Sequence, residues 1–175
     1  MYNFAPASET ETTVFGAAKP GVSNEKVTSW IQFMKEQGIN RVCCLLPEVQ
    51  LAPYNDLLGR YQQDFGANNI LWAPIEDFHL VNQEMLTQKI LPFLLEAEQQ
   101  GEKVVVHCAG GIGRTGHILA AWLVRGRGLS NKAAIAAVKK TGRNPYEAAV
   151  AGTLMGRNPC KGIRELHALL DACRQ

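Results

Sequence analysis

The sequence predicts an α/β fold: a central, mostly parallel sheet of four to five strands flanked by helices, with a helical C-terminal third. Three observations carry that expectation. Short apolar runs at Arg41–Leu46, Asn69–Pro74 and Lys103–His107 read as strands bounded by turn-formers. Stretches of helical periodicity separate them, the alternation expected of a parallel sheet covered on both sides. After the last strand candidate every periodic segment is helical.

In chain order, the first 20 residues are polar and dotted with Pro and Gly, with one strand candidate at Thr12–Phe15. Asn24–Gln37 carries Val27, Trp30, Ile31 and Met34 as one apolar stripe, a core face, and Gly38 ends it. Arg41–Leu46 is a buried strand stopped by Pro47. Pro53–Phe65 is a second helix and Asn69–Pro74 a further strand. A helix over Gln83–Gln100 contains Pro92, where a kink or division is expected. Three consecutive valines make Lys103–His107 a buried strand. Helices follow near 115–125, 130–141, 146–155 and 161–173. Gly-Arg-Asn-Pro occurs at 142–145 and 156–159, two tetrapeptides that read as turns rather than as a repeat architecture.

At 175 residues, 46% hydrophobic and 19% charged, the chain is expected to form one globular domain spanning 1–175. No apolar run is long enough to span a bilayer, and the start lacks the pattern of a secretory signal. Five cysteines, at 43, 44, 108, 160 and 173, form an unpatterned set that suits a reducing compartment. A cytoplasmic monomer without membrane association is expected. The net charge of +2 conceals a stretch, Lys103–Tyr146, with eight basic residues and no Asp or Glu. It is either a set of solvated faces with counter-charges from elsewhere or a field that attracts anions. No basic stripe interleaved with aromatics points to nucleic acid.

Cys108-Ala-Gly-Gly-Ile-Gly-Arg114 lies between the valine strand and the helix that starts near Thr115. A Gly-rich turn opening a helix aims backbone N–H groups and the positive end of the helix dipole at one point. Such a point binds an anion, and a sulfur at the first position of the turn is favoured as thiolate. Arg114 closes the loop with a fork suited to two phosphate oxygens. Gly111-Ile-Gly113-Arg-Thr-Gly116 also satisfies Gly-x-Gly-x-x-Gly, but the following strand and its acidic residue are missing, so dinucleotide binding is set aside. A Walker loop fails for want of Gly-Lys-Ser/Thr.

His107-Cys108-x5-Arg114-Thr115-Gly116, with three loop glycines in a strand-to-helix setting, resembles the signature of the cysteine-dependent protein tyrosine phosphatase superfamily. From about residue 12 to 145 the order of elements resembles its small dual-specificity branch, and the Trp-Pro-Asp triplet of the longer tyrosine-specific domains is absent. The resemblance implies Cys108 as nucleophile and Arg114 with the loop residues Ala109, Gly110, Gly111, Ile112 and Gly113 as the phosphate site. It further implies Thr115 as a hydrogen-bond donor to the sulfur and His107 as a residue that orders the loop. In the family the general acid is an Asp about 30 residues before the cysteine. Asp77 lies 31 before it and is preferred to Glu76; Asp64, at a helix end, is less suitable. Glu147 is a candidate for placing the second-step water. Cys43 and Cys44 read as small core residues, although relatives can protect the nucleophile by a disulfide, which needs the strand at 41–46 to neighbour that at 103–107.

No His/Cys/Asp spacing suggests zinc, so a site without metal or cofactor is expected. A phosphorylated protein is the expected substrate, through phosphotyrosine either alone or together with phosphoserine or phosphothreonine. The loop interior carries no lysine for the extra phosphates of a phosphoinositide, and the same neutrality stands against an RNA 5′ end, although the basic helices leave that alternative, like another non-protein phosphate ester, open. A catalytically silent phosphate-binding module is the reading from another class, disfavoured by the joint presence of Cys108, Arg114 and Asp77; sulfur transfer does not call for an arginine closing the turn.

Overall fold

The structure, a computed structural model, describes residues 1–147 and 158–174. Five strands form one sheet: β1 (Ala5–Pro6), β2 (Val14–Ala18), β3 (Ile39–Cys44), β4 (Ile70–Trp72) and β5 (Lys103–Cys108). Their spatial order is β1-β2-β5-β3-β4, parallel throughout except for β1 against β2. The last strand in sequence is therefore inserted at the centre, flanked by β2 and β3. Val104, Val105 and Val106 are buried on both faces, which is why β5 reads as a continuous apolar run without alternation. A central parallel strand at a reversal of strand order places its carboxyl end at the crevice where such sheets bind ligands. Cys108 is the residue at that end.

Alternate side chains of the strands enter two cores. On one face α1 (Asn24–Glu36) and α3 (Leu57–Phe65) bring Trp30, Met34 and Tyr61 against Val42, Cys44 and Val105. On the other, α5 (Leu91–Gln99), α6 (Gly113–Arg127), α7 (Asn131–Lys140) and α8 (Pro159–Ala172) bring Leu94, Ile118, Trp122, Ile135 and Leu170 against Cys43, Val104 and Val106. The expected stripe of α1, Val27, Trp30, Ile31 and Met34, is buried throughout. No helix among the described residues is long and apolar enough to cross a membrane.

Several boundaries differ from expectation for local reasons. The strand expected at Thr12–Phe15 is β2, two residues later, paired in addition with β1. The helix expected over Pro53–Phe65 is preceded by a separate short helix, α2 (Glu48–Leu51), and begins only at Leu57. Asp56 interrupts them: it takes a left-handed conformation, φ +55°, and its carboxylate caps α3 by accepting the Gly59 N–H at 2.9 Å. The helix containing Pro92 is divided into α4 (Gln83–Met85), a π turn at Leu86–Ile90 and α5, the wide turn carrying the chain past a residue that cannot donate. From residue 148 the helix expected over 146–155 lies outside the described residues, as do Gly156 and Arg157 of the second Gly-Arg-Asn-Pro.

Three of the eight basic residues of this stretch, Arg114, Arg127 and Lys140, have carboxylate partners from elsewhere in the fold. Lys140 faces Glu9 at 3.7 Å, and Arg127 pairs with Glu98 and with Glu11, whose oxygens it meets at 3.0 Å through Nε and Nη2. Glu11 is fully buried and also accepts the N–H groups of Thr13 (2.8 Å) and Val14 (3.2 Å), so this ion pair ties the start of β2 to the end of α6. Removing one partner leaves a buried charge uncompensated. Arg127→Ala is expected to lower the unfolding free energy by about 3 kcal/mol in urea denaturation, and Glu11→Gln in the same chain to recover part of that loss.

Candidate active site

The loop after β5 is shaped by its neighbours. The Lys19 N–H donates to the carbonyls of Cys108 (2.9 Å) and Ala109 (3.3 Å), and Asn3 Nδ2 donates to the carbonyl of Gly110 (3.1 Å). Three successive carbonyls are thus engaged from outside the turn. Gly111 has φ +71° and lies so close to β2 that a Cβ would stand 2.5 Å from the Ala17 carbonyl carbon. Only glycine fits there. Its N–H donates to Cys108 Sγ at 3.2 Å, so the nearly buried sulfur sits at the mouth of the turn and the start of α6.

Arg114, in the first turn of α6, is 4% exposed, and its guanidinium is held by two distant segments. Nη1 donates to the Ile75 carbonyl and to Gln50 Oε1, both at 3.0 Å, and Nη2 meets Asp77 Oδ1 at 2.9 Å. Gln50 Nε2 closes the ring by donating to Asp77 Oδ2 at 3.2 Å. Asp77 is carried by the segment after β4, which continues the sheet pairing through Ala73 N–H to Cys44 O (3.0 Å) and Ile75 N–H to Leu45 O (3.1 Å). Phe78, next to Asp77, has φ +58°, a left-handed conformation that a bulky residue seldom takes. Cys108, Arg114 and Asp77 thus come together. Glu76 is exposed and makes no ion pair with Arg114, and Asp64 is engaged by Lys35 (2.7 Å) and Arg60 (3.9 Å) on α1 and α3. The Glu147 carboxylate packs on Gly113, where a Cβ would stand 1.9 Å from its Oε2.

Two expectations are modified. Thr115 is fully buried, but its Oγ1 has no hydrogen-bond partner, so the expected bond to the Cys108 sulfur is not made here. His107 is likewise without a hydrogen bond at either ring nitrogen; it packs edge-on to Trp30 (5.3 Å between centroids) and Tyr61 (5.6 Å). Burial, opposed by the Cys108 backbone and reinforced by the positive charges of Arg114 and Lys19, pushes its pKa down to about 3, so the ring is packed in its neutral form. β3 does neighbour β5, with Cys44 opposite His107 and Cys43 opposite Val106. All five cysteines are free; burial raises the Cys43 thiol and pushes Cys44, which lies within the field of Arg114 and Cys108, up to about 12.

Three residues of the site had no sequence signal. Gln50 sits on a short helix without periodicity. His117 bridges α6 and the segment after Asp77: the Val81 N–H donates to its Nε2, and its Nδ1 faces the Gly113 carbonyl, each at 3.2 Å. Arg143, from the first Gly-Arg-Asn-Pro turn, is buried and donates to the carbonyls of Thr141 (2.6 Å), Asn3 (2.7 Å) and Gly16 (2.6 Å). No carboxylate pairs with it among the described residues, and burial brings its pKa down to about 10, opposed by the charge of Cys108.

Comparison with known proteins agrees with this architecture. Residues 22–154 match the family of the dual specificity phosphatase catalytic domain. A putative tyrosine phosphatase, 123R of Invertebrate iridescent virus 6, is 29% identical over 83 residues, 47% of this chain and 58% of the viral protein. The chain thus matches little more than half the length of that relative. Tk-PTP, solved in its active form, superposes with a TM-score of 0.68 at 25% identity, covering 93% of this chain and 97% of that one. PTPMT1 in complex with PI(5)P gives a TM-score of 0.68 at 17% identity, covering 97% of both, a likeness of fold.

His107 and His117 are both fully buried and held neutral, with pKa values of about 3 and about 4 against an ordinary 6.5. Above pH 6.5 both folded and unfolded chains carry them neutral; below it only the unfolded chain takes up protons. Stability is therefore expected to fall on acidification from about pH 6.5, by at most about 1.4 kcal/mol per pH unit for each histidine. Urea midpoints read across that range check it, with His117→Gln removing part of the slope. Gly111→Ala, strained by φ and by contact with Ala17, is expected to abolish phosphate binding in calorimetric titration with inorganic phosphate.

Proposed function

The chain belongs to the dual specificity phosphatase family, and we propose that it is a protein phosphatase, acting on phosphotyrosine, either alone or together with phosphoserine or phosphothreonine, through a phosphocysteine intermediate. The observation that carries this reading is the convergence of Cys108 Sγ, the inward Gly111 N–H at 3.2 Å and the Arg114–Asp77 pair at 2.9 Å, at the carboxyl end of the central strand.

The chemistry follows from what each group can still do. Nη1 of Arg114 is retained by the Ile75 carbonyl and Gln50, so Nε and Nη2 form the edge offered to two phosphate oxygens, the second taking the place of Asp77 Oδ1. Cys108 thiolate attacks phosphorus in line, an S–P bond forms and the P–O bond to the leaving group breaks while the loop amides hold the equatorial oxygens. Asp77, released from Arg114, gives its proton to the leaving oxygen. Water then attacks phosphorus, surrendering its proton to Asp77, with the Glu147 carboxylate beside Gly113 suited to orienting it. The S–P bond breaks, and phosphate and thiolate are restored. Thr115 Oγ1, free of other partners, can turn its hydrogen to the departing sulfur.

Three exposed apolar side chains support an aromatic substrate. Val49, Phe78 and Ile112 are next in sequence to Gln50, Asp77 and Gly113 on three different segments. They suit the ring of a phosphotyrosine and its apolar neighbours. The loop interior Ala109–Gly113 remains without a lysine, which disfavours a phosphoinositide despite the shared fold with PTPMT1. Free cysteines suit a reducing compartment such as the cytoplasm, and action there as a monomer on phosphorylated proteins is part of the same proposal.

Hydrolysis of p-nitrophenyl phosphate in EDTA tests the mechanism. Cys108→Ser is expected to lower kcat by more than about a thousandfold, and Asp77→Ala by about a hundredfold. A wild-type protein that binds phosphate without turnover would return the silent binding module to the front. Release of phosphate from phosphotyrosyl peptides, compared with phosphoseryl peptides and PI(5)P vesicles, checks the substrate class; preference for the vesicles would overturn it.

A further inference from the structure

His117 lies one helical turn beyond Gly113 and is fully buried. A backbone N–H can only donate, so the Val81 contact at 3.2 Å requires a lone pair on Nε2. The ring proton of the neutral imidazole is then on Nδ1, where it donates to the Gly113 carbonyl at 3.2 Å. Burial, opposed only by that carbonyl, holds the pKa of the ring at about 4, so this tautomer persists near neutral pH.

The two bonds join different parts of the machinery. Gly113 is the first residue of α6, directly before Arg114. Val81 is the buried residue at which the segment carrying Asp77 returns to the core, before Asn82 caps α4 by accepting the Met85 N–H at 2.7 Å. At its start that segment is fixed by Ala73 and Ile75 to β3 and the residues after it, and between its two anchors stands the left-handed Phe78. Its reach over the phosphate loop is thereby set from both ends.

Building on the reading of Asp77 as general acid, we infer that His117 is a positioning residue that latches the end of the acid segment to the phosphate-binding helix and so places Asp77 over the leaving oxygen. A histidine that only filled the core would need no particular tautomer and would affect all substrates equally. A latch affects substrates in proportion to their need for a proton.

The test is a series of aryl phosphates from p-nitrophenyl, a good leaving group, to phenyl, a poor one, with kcat followed in wild type, His117→Leu, His117→Gln and Asp77→Asn. His117→Leu is expected to lower turnover of phenyl phosphate roughly tenfold more than that of p-nitrophenyl phosphate. Alkylation of Cys108 by iodoacetamide should be unaltered. His117→Gln, whose amide oxygen can accept the Val81 N–H, is expected to restore most of the loss, and His117→Leu should add less than about twofold in the Asp77→Asn background, since the acid it serves is gone. An equal loss across the series, or an additive loss in the double variant, overturns the latch. An Asp77→Asn protein with unchanged leaving-group dependence overturns the acid assignment instead, and the two failures are thus distinct. Independently of any variant, nitrogen-15 spectra of the wild-type imidazole should show the proton on Nδ1; a proton on Nε2 would remove the Val81 bond and the proposal with it.

Discussion

Burying the guanidinium of Arg114 is the constraint from which the rest of the site takes its arrangement. A charge 4% exposed is tolerated only with partners of good geometry. The start of α6 has no acidic residue of its own, since none occurs between Lys103 and Tyr146. The partners therefore come from afar: Gln50, 64 residues away, and the Ile75 carbonyl, 39 residues away, with Asp77 completing the ring. Satisfying one cation thereby draws α2 and the segment after β4 to the end of the central strand. The proposed acid reaches the nucleophile's loop as a consequence of that electrostatic demand.

Phosphate affinity, by contrast, is assigned to the backbone. Ala109–Gly113 has no charged side chain, yet the turn is polar because its carbonyls are engaged by Lys19 N–H and Asn3 Nδ2. The Gly111 N–H then faces the sulfur, and the dipole of the 15-residue α6 adds to its field. Close contact between Gly111 and the Ala17–Ala18 peptide holds this polarity in place. A loop built in this way offers backbone N–H groups and no side-chain cation of its own, in keeping with the proposed monophosphate substrate.

Buried polar atoms in folded proteins are rarely left without partners, and the exceptions call for explanation. Here His107, Tyr61 Oη, Thr115 Oγ1 and Arg143 Nε lie on elements that meet at or near the end of β5. A Cβ on Gly16 would touch both Arg143 and Thr115, and Tyr61 packs on His107. Several of these atoms without a hydrogen bond thus lie around the end of β5, where the proposed mechanism has charge on the sulfur appear and disappear, while Arg41 Nη1 and Trp122 Nε1 are further cases elsewhere. His117 shows the opposite arrangement: both nitrogens are satisfied, and its tautomer is fixed.

The sequence by itself determined the class of fold, the strand–loop–helix that holds Cys108 and Arg114, and Asp77 as the acid candidate. These are local matters: three consecutive valines specify a buried strand, glycines a turn, and helical spacing the helix that follows. Element ends were less legible, because a left-handed Asp56 and a π turn before Pro92 leave no periodic trace. Only the tertiary structure decided that β5 lies between β2 and β3, that Cys44 stands opposite His107, and which distant groups Gln50, His117 and Arg143 contact. Each of those depends on backbone groups distant in sequence. A donor such as the Val81 N–H or an acceptor such as the Gly16 carbonyl is present at nearly every residue, so its identity as a partner is set by where the chain passes and not by which side chain it carries.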